Sequence, residues 1–343
     1  MKILILTENK PYYYSLESFY LNALNKIKEI EAEIIYLNER EELYFRFTQK
    51  ILREYYRISN KSKPANFNSD MLLAVIKRKK PDVIITVKLD FLSESFLSQL
   101  KSVCKILLNM NPDHPYVLHK NNIDVLLNTL KYYDAVFTFG KGIIPIYYQL
   151  GAKEVNWLPF AYDPDTHFVT KTSGYIYDCS YFGSWAKIQE YYISTLIEEN
   201  YKVGIFGPRW YKSKNYNVKN SWIKDGGIGR GMSTEVSKSR IVFNLIRAEH
   251  GCFHSMKSFE LPACGAFMIS NKTEEQLEFF PETAVCYFDT LDELKEKVKF
   301  YINREDLRNK FIKEALDIVR KHTYDTRSAI LVNFINTGKY KPI

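Results

Sequence analysis

The chain has 343 residues, of which 46% are hydrophobic and 26% are charged. That length exceeds one ordinary hydrophobic core and fits two domains, and the composition excludes a disordered chain. The net charge of +8 fits either a lysine-rich solvated surface or attraction to phosphates, as in a nucleotide, an anionic acceptor or an anionic membrane face. The sequence contains no dense Lys/Arg block and no nucleic-acid-binding motif, so we expect no nucleic-acid partner.

The beginning of the chain and the cysteines indicate a cellular location. The first apolar stretch covers only residues 3–6, too short for a signal sequence or a membrane span. No pair of cysteines has CxxC spacing among Cys104, Cys179, Cys252, Cys264 and Cys286. We therefore expect free, largely buried thiols, no zinc site and a cytoplasmic location, with peripheral contact to the inner face of the membrane left open.

Strand-like apolar runs alternate with helical periodicity along the chain. The first series is KILIL (2–6), EIIYL (33–37), VIITV (83–87), KILLN (105–109) and AVFTF (135–139). The second series is YDCSYFG (177–183), KVGIFG (202–207), RIVFNL (240–245), AFMIS (266–270) and AVCYF (284–288). Helical patterns include residues 15–28, the segment after the capping box at 290–293, and EDLRNKFIKEALDIVRKH. Near-continuous apolar strands joined by helices predict parallel sheets covered on both faces.

The segment VNWLPFAYDPDTHF (155–168) is rich in prolines and turn formers, which indicates a domain boundary. We therefore predict an α/β protein with two Rossmann-like domains, over residues 1–160 and 161–322, followed by a C-terminal helix over 323–343. Ligands of such folds bind at the carboxyl ends of the parallel strands, and we expect the site in the cleft between the domains.

The segment KSFELPACGAFMIS (257–270) carries the most informative motif. Ser255 can cap a helix from Met256 to about Ala263, which Gly265 ends. Glu260 would then lie at the ligand-facing end, where a carboxylate accepts hydrogen bonds from a vicinal diol such as a ribose. Lys257 would favour a diphosphate. The alternative is that Glu260 only complements the helix dipole.

The stretch MKSFELPACGAFMIS resembles GT-B glycosyltransferases of the group-1-like class, especially the spore-maturation (CgeB-like) proteins. That family has an Arg-x-Phe-Glu-x-Pro-Ala-Cys-Gly pattern here, and the resemblance extends over about 150–327 through LGAKEVNWLPFAYDP, YFGSW and FGPRW. It implies a GT-B fold: two Rossmann-like αβα domains facing across a cleft, an acceptor-side domain first and a nucleotide-sugar domain second, with the C-terminal helix packing back on the first.

Lys257 replaces the family's arginine and lacks its bidentate fork. Cys252 stands where many retaining members carry a second glutamate, so the stereochemical outcome is not assigned.

Donor-binding candidates lie on the loops after the second series of strands, and the resemblance places the Arg209-Trp210 loop among them. With Lys257 and Glu260, these are Gly183, Ser184, Arg209, Trp210, Asn244, Arg247 and His254. Backbone N–H groups of the glycine turn would face a phosphate, and the Arg209-Trp210 loop would flank the base. The alternatives are a simple connecting turn, packing of the indole, a salt bridge at the rim for Arg247 and surface positions for His250 and His254.

The first half supplies acceptor-side candidates. NMNPDHPY (109–116) follows a predicted strand, and a base that deprotonates an acceptor hydroxyl must be a carboxylate or an imidazole. We predict Asp113 as that base, with His114 second; an Asx-turn with a solvated histidine is the alternative. Three residues after the first strand are predicted to contact acceptor, namely Glu8, Lys10 and Tyr12.

Asp163-Pro-Asp165 formally matches a metal-binding Asp-x-Asp motif. Because it lies in a proline-rich turn, we interpret it as turn chemistry and predict neither a metal nor another cofactor. The resulting hypothesis is a hexosyl-type glycosyltransferase that uses a nucleotide-sugar, such as a UDP-sugar, to glycosylate a glycan, lipid-linked glycan or protein. The alternatives are a nucleotide-sugar epimerase or glycosyl-phosphate polymerase of the same fold, or a non-catalytic nucleotide-sugar-binding protein.

Overall fold

The computed structural model describes residues 1–8, 10, 12–37, 69–118, 123–171, 174–224, 226–247 and 254–342. Cys252 and His250, considered above, lie outside the described residues. The described residues group into two compact units. The first unit combines residues within 1–159 and 327–342, and the second combines those within 160–247 and 254–326.

The first unit is built on a six-stranded parallel sheet with the order β2-β1-β3-β4-β5-β6. Its strands are β1 (Lys2–Thr7), β2 (Glu31–Tyr36), β3 (Val83–Val87), β4 (Ile106–Asn111), β5 (Ala135–Thr138) and β6 (Val155–Trp157). Its described helices are α1 (Leu16–Asn25), α2 (Ser69–Lys79), α3 (Glu94–Val103), α4 (Pro115–Leu118), α5 (Ile123–Thr129) and α6 (Ile144–Gln149). The strands β3 and β5 are buried along their whole length, as expected for a sheet covered on both faces.

The second unit contains another six-stranded parallel sheet, with the order β12-β11-β10-β7-β8-β9. Its strands are β7 (Tyr177–Phe182), β8 (Val203–Phe206), β9 (Trp222–Ile223), β10 (Ser239–Asn244), β11 (Met268–Asn271) and β12 (Cys286–Phe288). Its helices are α7 (Lys187–Glu198), α8 (Tyr216–Asn220), α9 (Arg230–Ser237), α10 (Lys257–Ala263), α11 (Glu274–Phe279), α12 (Leu291–Tyr301) and α13 (Glu305–Val319). The two parallel sheets confirm the predicted α/β class.

The last described helix is α14 (Tyr324–Thr337). From Arg327 onward its residues belong to the first unit, where the ring of Phe334 meets that of Phe137 edge-on at 5.3 Å between centroids. Among the described residues, no helix combines the length and apolar character needed to cross a bilayer.

Two local predictions have clear outcomes. The capping box before α12 is confirmed: the hydroxyl of Thr290 accepts from the Glu293 N–H at 3.2 Å, and the Glu293 carboxylate accepts from the Asp289 N–H at 2.8 Å. Strand β9 escaped prediction because two residues carry no period-2 pattern to detect. The four described cysteines are free thiols, as predicted, and burial raises the pKa of Cys264 to about 12.

Candidate functional site

Helix α10 carries the predicted donor-binding motif. The structure confirms the predicted end of this helix but not its predicted N-cap. At its end, the Gly265 N–H donates to the Pro262 carbonyl at 2.9 Å and the Ala266 N–H to the Leu261 carbonyl at 3.1 Å. With Gly265 at φ +80°, this is a Schellman motif, so the predicted glycine stop is confirmed. The predicted N-cap is wrong. Helical backbone already begins at Met256, with no side-chain cap, and Ser255 instead donates its hydroxyl to Asn244 Oδ1 at 3.2 Å.

Glu260 lies in the first turn of α10 and is only 2% exposed. Its Oε2 accepts a hydrogen bond from Lys257 Nζ, and its Oε1 lies 3.6 Å from His167 Nε2. Burial alone would raise the pKa of this carboxyl group, but the positive charge and the hydrogen bond of Lys257 act in the opposite direction, and the pKa of Glu260 is lowered. Glu260 is therefore a buried, ionised carboxylate.

Asn244, at the end of β10, is hydrogen-bonded to the first turn of this helix and to Ser255, which precedes the helix. It is 3% exposed, and its Nδ2 donates to Ser258 Oγ at 3.0 Å and to Gln276 Oε1 at 3.3 Å. Its Oδ1 accepts from Ser255. Because these bonds occupy both ends of its carboxamide, the prediction that Asn244 reaches a diphosphate is corrected: it joins β10 to α10 and α11.

The loops after β7 and β8 are bonded to each other. The Gly183 N–H donates to the Phe206 carbonyl at 2.8 Å, and the Trp185 N–H donates to the Pro208 carbonyl at 3.0 Å. The prediction that the Gly183 N–H faces a phosphate is therefore corrected, since that donor is already used. Ser184 is partly exposed between these two anchored residues and remains a donor-binding candidate.

Trp210 is fully buried. Its indole N–H donates to the Gly183 carbonyl at 2.9 Å, and its ring meets Tyr181 edge-on at 5.8 Å between centroids. The indole has no exposed face, so the prediction that it stacks on a base is wrong and the packing alternative holds. Its role is to hold the two loops together.

Among the predicted donor-binding residues, two cations are exposed on this edge of the sheet. Arg209 follows β8 with a left-handed backbone at φ 70°, and Arg247 follows β10. The positive charge of Arg247 acts on the Tyr181 hydroxyl, although burial is the larger effect and raises the pKa of that phenol. Because all the strands are parallel, the residues after β8 and β10 lie on the edge that also carries the start of α10.

His254 is a structural residue in this fold. It is 2% exposed, its Nδ1 lies 2.7 Å from Glu275 Oε2, and its Nε2 accepts from the Phe160 N–H at 3.2 Å. The rings of Phe259 and Phe279 pack edge-on against it. The prediction that His254 contacts the donor is corrected, because both ring nitrogens already have partners inside the core of the unit.

In the first unit, Asp113 and His114 follow β4, as predicted. Asp113 Oδ2 lies 2.9 Å from Lys88 Nζ, and Lys88 follows the neighbouring strand β3. Burial lowers the pKa of this lysine, but the charge and hydrogen bond of Asp113 outweigh it, so the pKa is raised. The Nδ1 of His114 accepts from the Tyr116 N–H at 3.2 Å, and burial lowers the pKa of the imidazole. The proton of neutral His114 is therefore on Nε2, so neither ring nitrogen of His114 is placed to accept a proton, and Asp113 stays the first candidate for the base.

The predicted acceptor-side residues after β1 lie at the surface of the same unit. Glu8 is partly exposed, Lys10 is exposed, and Tyr12 is 69% exposed with its ring stacked on Tyr14 at 5.3 Å between centroids. Since β1, β3 and β4 are adjacent and parallel, these residues lie at the same sheet edge as Asp113. The structure thus leaves them as candidates.

Lys88 and His167, which lie against Asp113 and Glu260, are not among the residues predicted from the sequence. Lys88 comes directly after the run VIITV, at the carboxyl end of a strand, and that position was the available signal. His167 lies in DPDTHF, which was interpreted only as a turn. Within the described residues, no group of three or more His, Cys, Asp or Glu side chains is arranged to hold a metal ion.

Comparisons with known proteins bear on the fold and on part of the sequence. Residues 189–333 match the family described as "Glycosyl transferase-like". Over 98% of this chain and 100% of the other, the structure is similar to Anabaena Alr3699/HepE in complex with UDP-glucose, with a TM-score of 0.66 and 12% identity. The chain has the GT-B fold.

Other GT-B structures are similar over almost the whole chain. An alpha-glucosyltransferase in complex with UDP-glucose and DNA matches 99% of this chain and 100% of its own, with a TM-score of 0.63 and 16% identity. TarM matches 98% of this chain and 99% of its own, with a TM-score of 0.68 and 9% identity. No curated protein is similar in sequence. The matched family region includes β8, β10 and α10, and thus Glu260 and Lys257, whereas His167 lies outside it.

Proposed function

We propose that this GT-B protein is a glycosyltransferase that moves a sugar from a nucleoside-diphosphate sugar to an acceptor hydroxyl. The observation that carries the proposal is Glu260: a buried carboxylate kept ionised by Lys257, at the start of a helix on the carboxyl edge of a parallel sheet. Burying such a charge is costly unless it is paired. It lies within the region that matches the glycosyltransferase-like family.

In the proposed complex, Glu260 accepts hydrogen bonds from the two ribose hydroxyls of the donor. An ionised carboxylate has about four acceptor positions, and Lys257 and His167 leave part of that capacity unused. Lys257 is the more exposed partner, at 28% against 2% for Glu260. A ribose therefore reaches the carboxylate by displacing or sharing the lysine ammonium, which can then turn toward the diphosphate.

The leaving diphosphate gains negative charge as the glycosidic bond breaks. Arg209, Arg247 and Lys257 all follow strands of the second unit and present fixed positive charge at one sheet edge. Preorganised charges of this kind stabilise the transition state more than the ground state. They support metal-independent transfer as part of the proposal.

The identity of the donor is inferred from structures of similar fold. Structures of similar fold hold UDP-glucose, which supports a uridine donor and a hexosyl group here. The same proposal includes membership of the CgeB-like subfamily and an acceptor that is a glycan, a lipid-linked glycan or a protein. It also includes a cytoplasmic location at the inner face of the membrane.

Replacing Glu260 with glutamine is expected to weaken UDP binding roughly tenfold to a hundredfold, because hydrogen bonds to a charged group are worth about 1.5–3 kcal/mol. Isothermal titration calorimetry with UDP, GDP and ADP measures this. The matched control is Glu235→Gln, which removes the carboxylate of another i,i+3 lysine pair in the same unit. Equal affinity of wild type and Glu260→Gln for every nucleotide would refute the ribose assignment.

Incubation with UDP-sugar alone separates transfer from epimerisation. An epimerase converts the donor without any acceptor, whereas a glycosyltransferase leaves it intact or hydrolyses it slowly. Stereochemical conversion of the donor in the absence of acceptor would replace the proposed reaction with the epimerase alternative.

A further inference from the structure

The turn DPDTHF places a buried histidine against Glu260. His167 is 2% exposed, and its Nδ1 accepts the Asp163 N–H at 3.3 Å. This bond fixes the tautomer, so the ring proton is on Nε2. That nitrogen lies 3.6 Å from Glu260 Oε1, whereas Lys257 donates to the other oxygen of the carboxylate, Oε2.

The electrostatics favour a neutral histidine at this position. Burial lowers the pKa of His167 and outweighs the opposing charges of Glu260 and Asp163, while Lys257 lowers it further. A neutral Nε2–H is a hydrogen-bond donor that needs only a few tenths of an ångström of movement to reach Oε1 at bonding distance. Each oxygen of the buried carboxylate therefore faces a different group: Oε2 faces the Lys257 ammonium and Oε1 faces the His167 imidazole.

We propose that His167 is a positioning residue for ribose recognition. It fixes Glu260 through Oε1, so that the carboxylate keeps its orientation when Lys257 turns to the donor's diphosphate. This inference rests on the proposed function, since it assigns a role in the site where Glu260 binds the donor. Within the described part of the chain, the other side chain paired with the Glu260 carboxylate is Lys257, which is partly exposed.

The test compares UDP with 2′,3′-dideoxy-UDP in wild type, His167→Phe and His167→Gln. Phenylalanine keeps the ring volume without a donor, whereas the amide of glutamine restores an N–H at the position of Nε2. We expect His167→Phe to lose about tenfold in UDP affinity with unchanged affinity for dideoxy-UDP. We expect His167→Gln to stay within about threefold of wild type for both ligands.

The outcomes separate this inference from the proposed function. If wild type binds UDP and dideoxy-UDP equally, the ribose grip of Glu260 itself fails. If wild type discriminates but His167→Phe weakens both ligands alike, His167 is only structural and the inference is overturned. Should His167→Phe not fold, His167→Leu replaces it, and a glutamine variant that loses discrimination also overturns the inference.

A second, independent observation concerns the surface segment of residues 211–224, which we call the basic edge. It contains no acidic residue, and its basic side chains are all exposed: Lys212, Lys214, Lys219 and Lys224. Within the described part of the chain, none of them forms an ion pair. Tyr211 and Tyr216 stand among them, 63% and 73% exposed. The segment includes β9, the edge strand of the second sheet.

We also infer that the basic edge docks on an anionic phospholipid surface. Clusters of about four to eight Lys/Arg bind anionic lipid, at about 1 kcal/mol for each residue near the surface. Tyrosine is enriched at membrane–water interfaces, where its ring is buried and its hydroxyl stays hydrated. A nucleic-acid partner is less suited, because the only α-helix here, α8, has five residues, which is too short to follow a groove.

Co-sedimentation with phosphatidylcholine vesicles, with and without about 30% phosphatidylglycerol, tests this inference. We expect binding only to the anionic vesicles, lost at about 0.5 M salt, and reduced at least about a hundredfold in Lys212→Glu/Lys214→Glu/Lys219→Glu. The control is Lys310→Glu/Lys313→Glu/Lys321→Glu, which makes the same charge change at exposed lysines of α13 and beyond. Equal losses in both triple variants, binding to neutral vesicles, or preferential binding of a single-stranded oligonucleotide would overturn it.

Discussion

Replacing Asp113, the candidate general base, with asparagine is expected to lower kcat by a factor of about 10² to 10⁴, the usual contribution of such a base. Asparagine keeps the shape of the side chain but cannot accept the proton of the acceptor hydroxyl. Donor affinity should change little, because Asp113 belongs to the first unit and the donor-binding candidates to the second. Initial rates of sugar transfer at saturating UDP-sugar measure the effect.

The neighbours of Asp113 supply the controls. His114→Gln should retain most of its activity, because the Nδ1 of His114 already accepts the Tyr116 N–H. Lys88→Met removes the cation 2.9 Å from Asp113, which should shift the pH–rate profile rather than abolish turnover. If Asp113→Asn kept full kcat while His114→Gln lost it, the two roles assigned here would be exchanged.

The sequence was sufficient for the fold class because most strands, though not the two-residue β9, have a local signature. Runs such as VIITV are apolar throughout, and this pattern predicts a strand covered on both faces whatever its partners. Strand order could not be derived in the same way. The pairing of β10 with β7 depends on contacts between segments some 60 residues apart, and short-range periodicity does not encode such contacts.

Some of the candidate site residues could be predicted from local sequence, and others could not. Glu260 and Asp113 were found because a motif or a strand end placed them at a sheet edge. Trp210 and His254 were misassigned because their burial comes from distant partners, the Gly183 carbonyl and Glu275. An aromatic or imidazole side chain on a loop is typical of both binding and packing, and only the folded structure decides between them.

Gly207 lies where the loops after β7 and β8 approach each other most closely. Gly207 has φ +130°, and a Cβ added there would lie 2.4 Å from the Gly183 carbonyl oxygen. That same oxygen accepts the Trp210 indole N–H at 2.9 Å, and the Gly207 carbonyl accepts the Trp222 indole N–H at 2.9 Å. The close approach of the two backbones therefore leaves no room for any side chain at this position.

Gly207→Ala is accordingly expected to destabilise the protein by about 3 kcal/mol or more, the sum of backbone strain and steric overlap. A loss of this size should lower Tm by about 10 °C, and UDP affinity should fall as well, because the Arg209 loop moves with Gly207. Differential scanning calorimetry and calorimetric titration measure the two effects.

The matched control for this prediction is Gly231→Ala. Gly231 lies in α9, and a Cβ added there would meet nothing within 4 Å, so the exchange should be neutral or stabilising by about 0.5–1 kcal/mol through helix propensity. A Tm for Gly207→Ala within about 2 °C of wild type would contradict the tight contact. A large loss of Tm without a change in UDP affinity would instead show that the paired loops stabilise the unit without shaping the donor site.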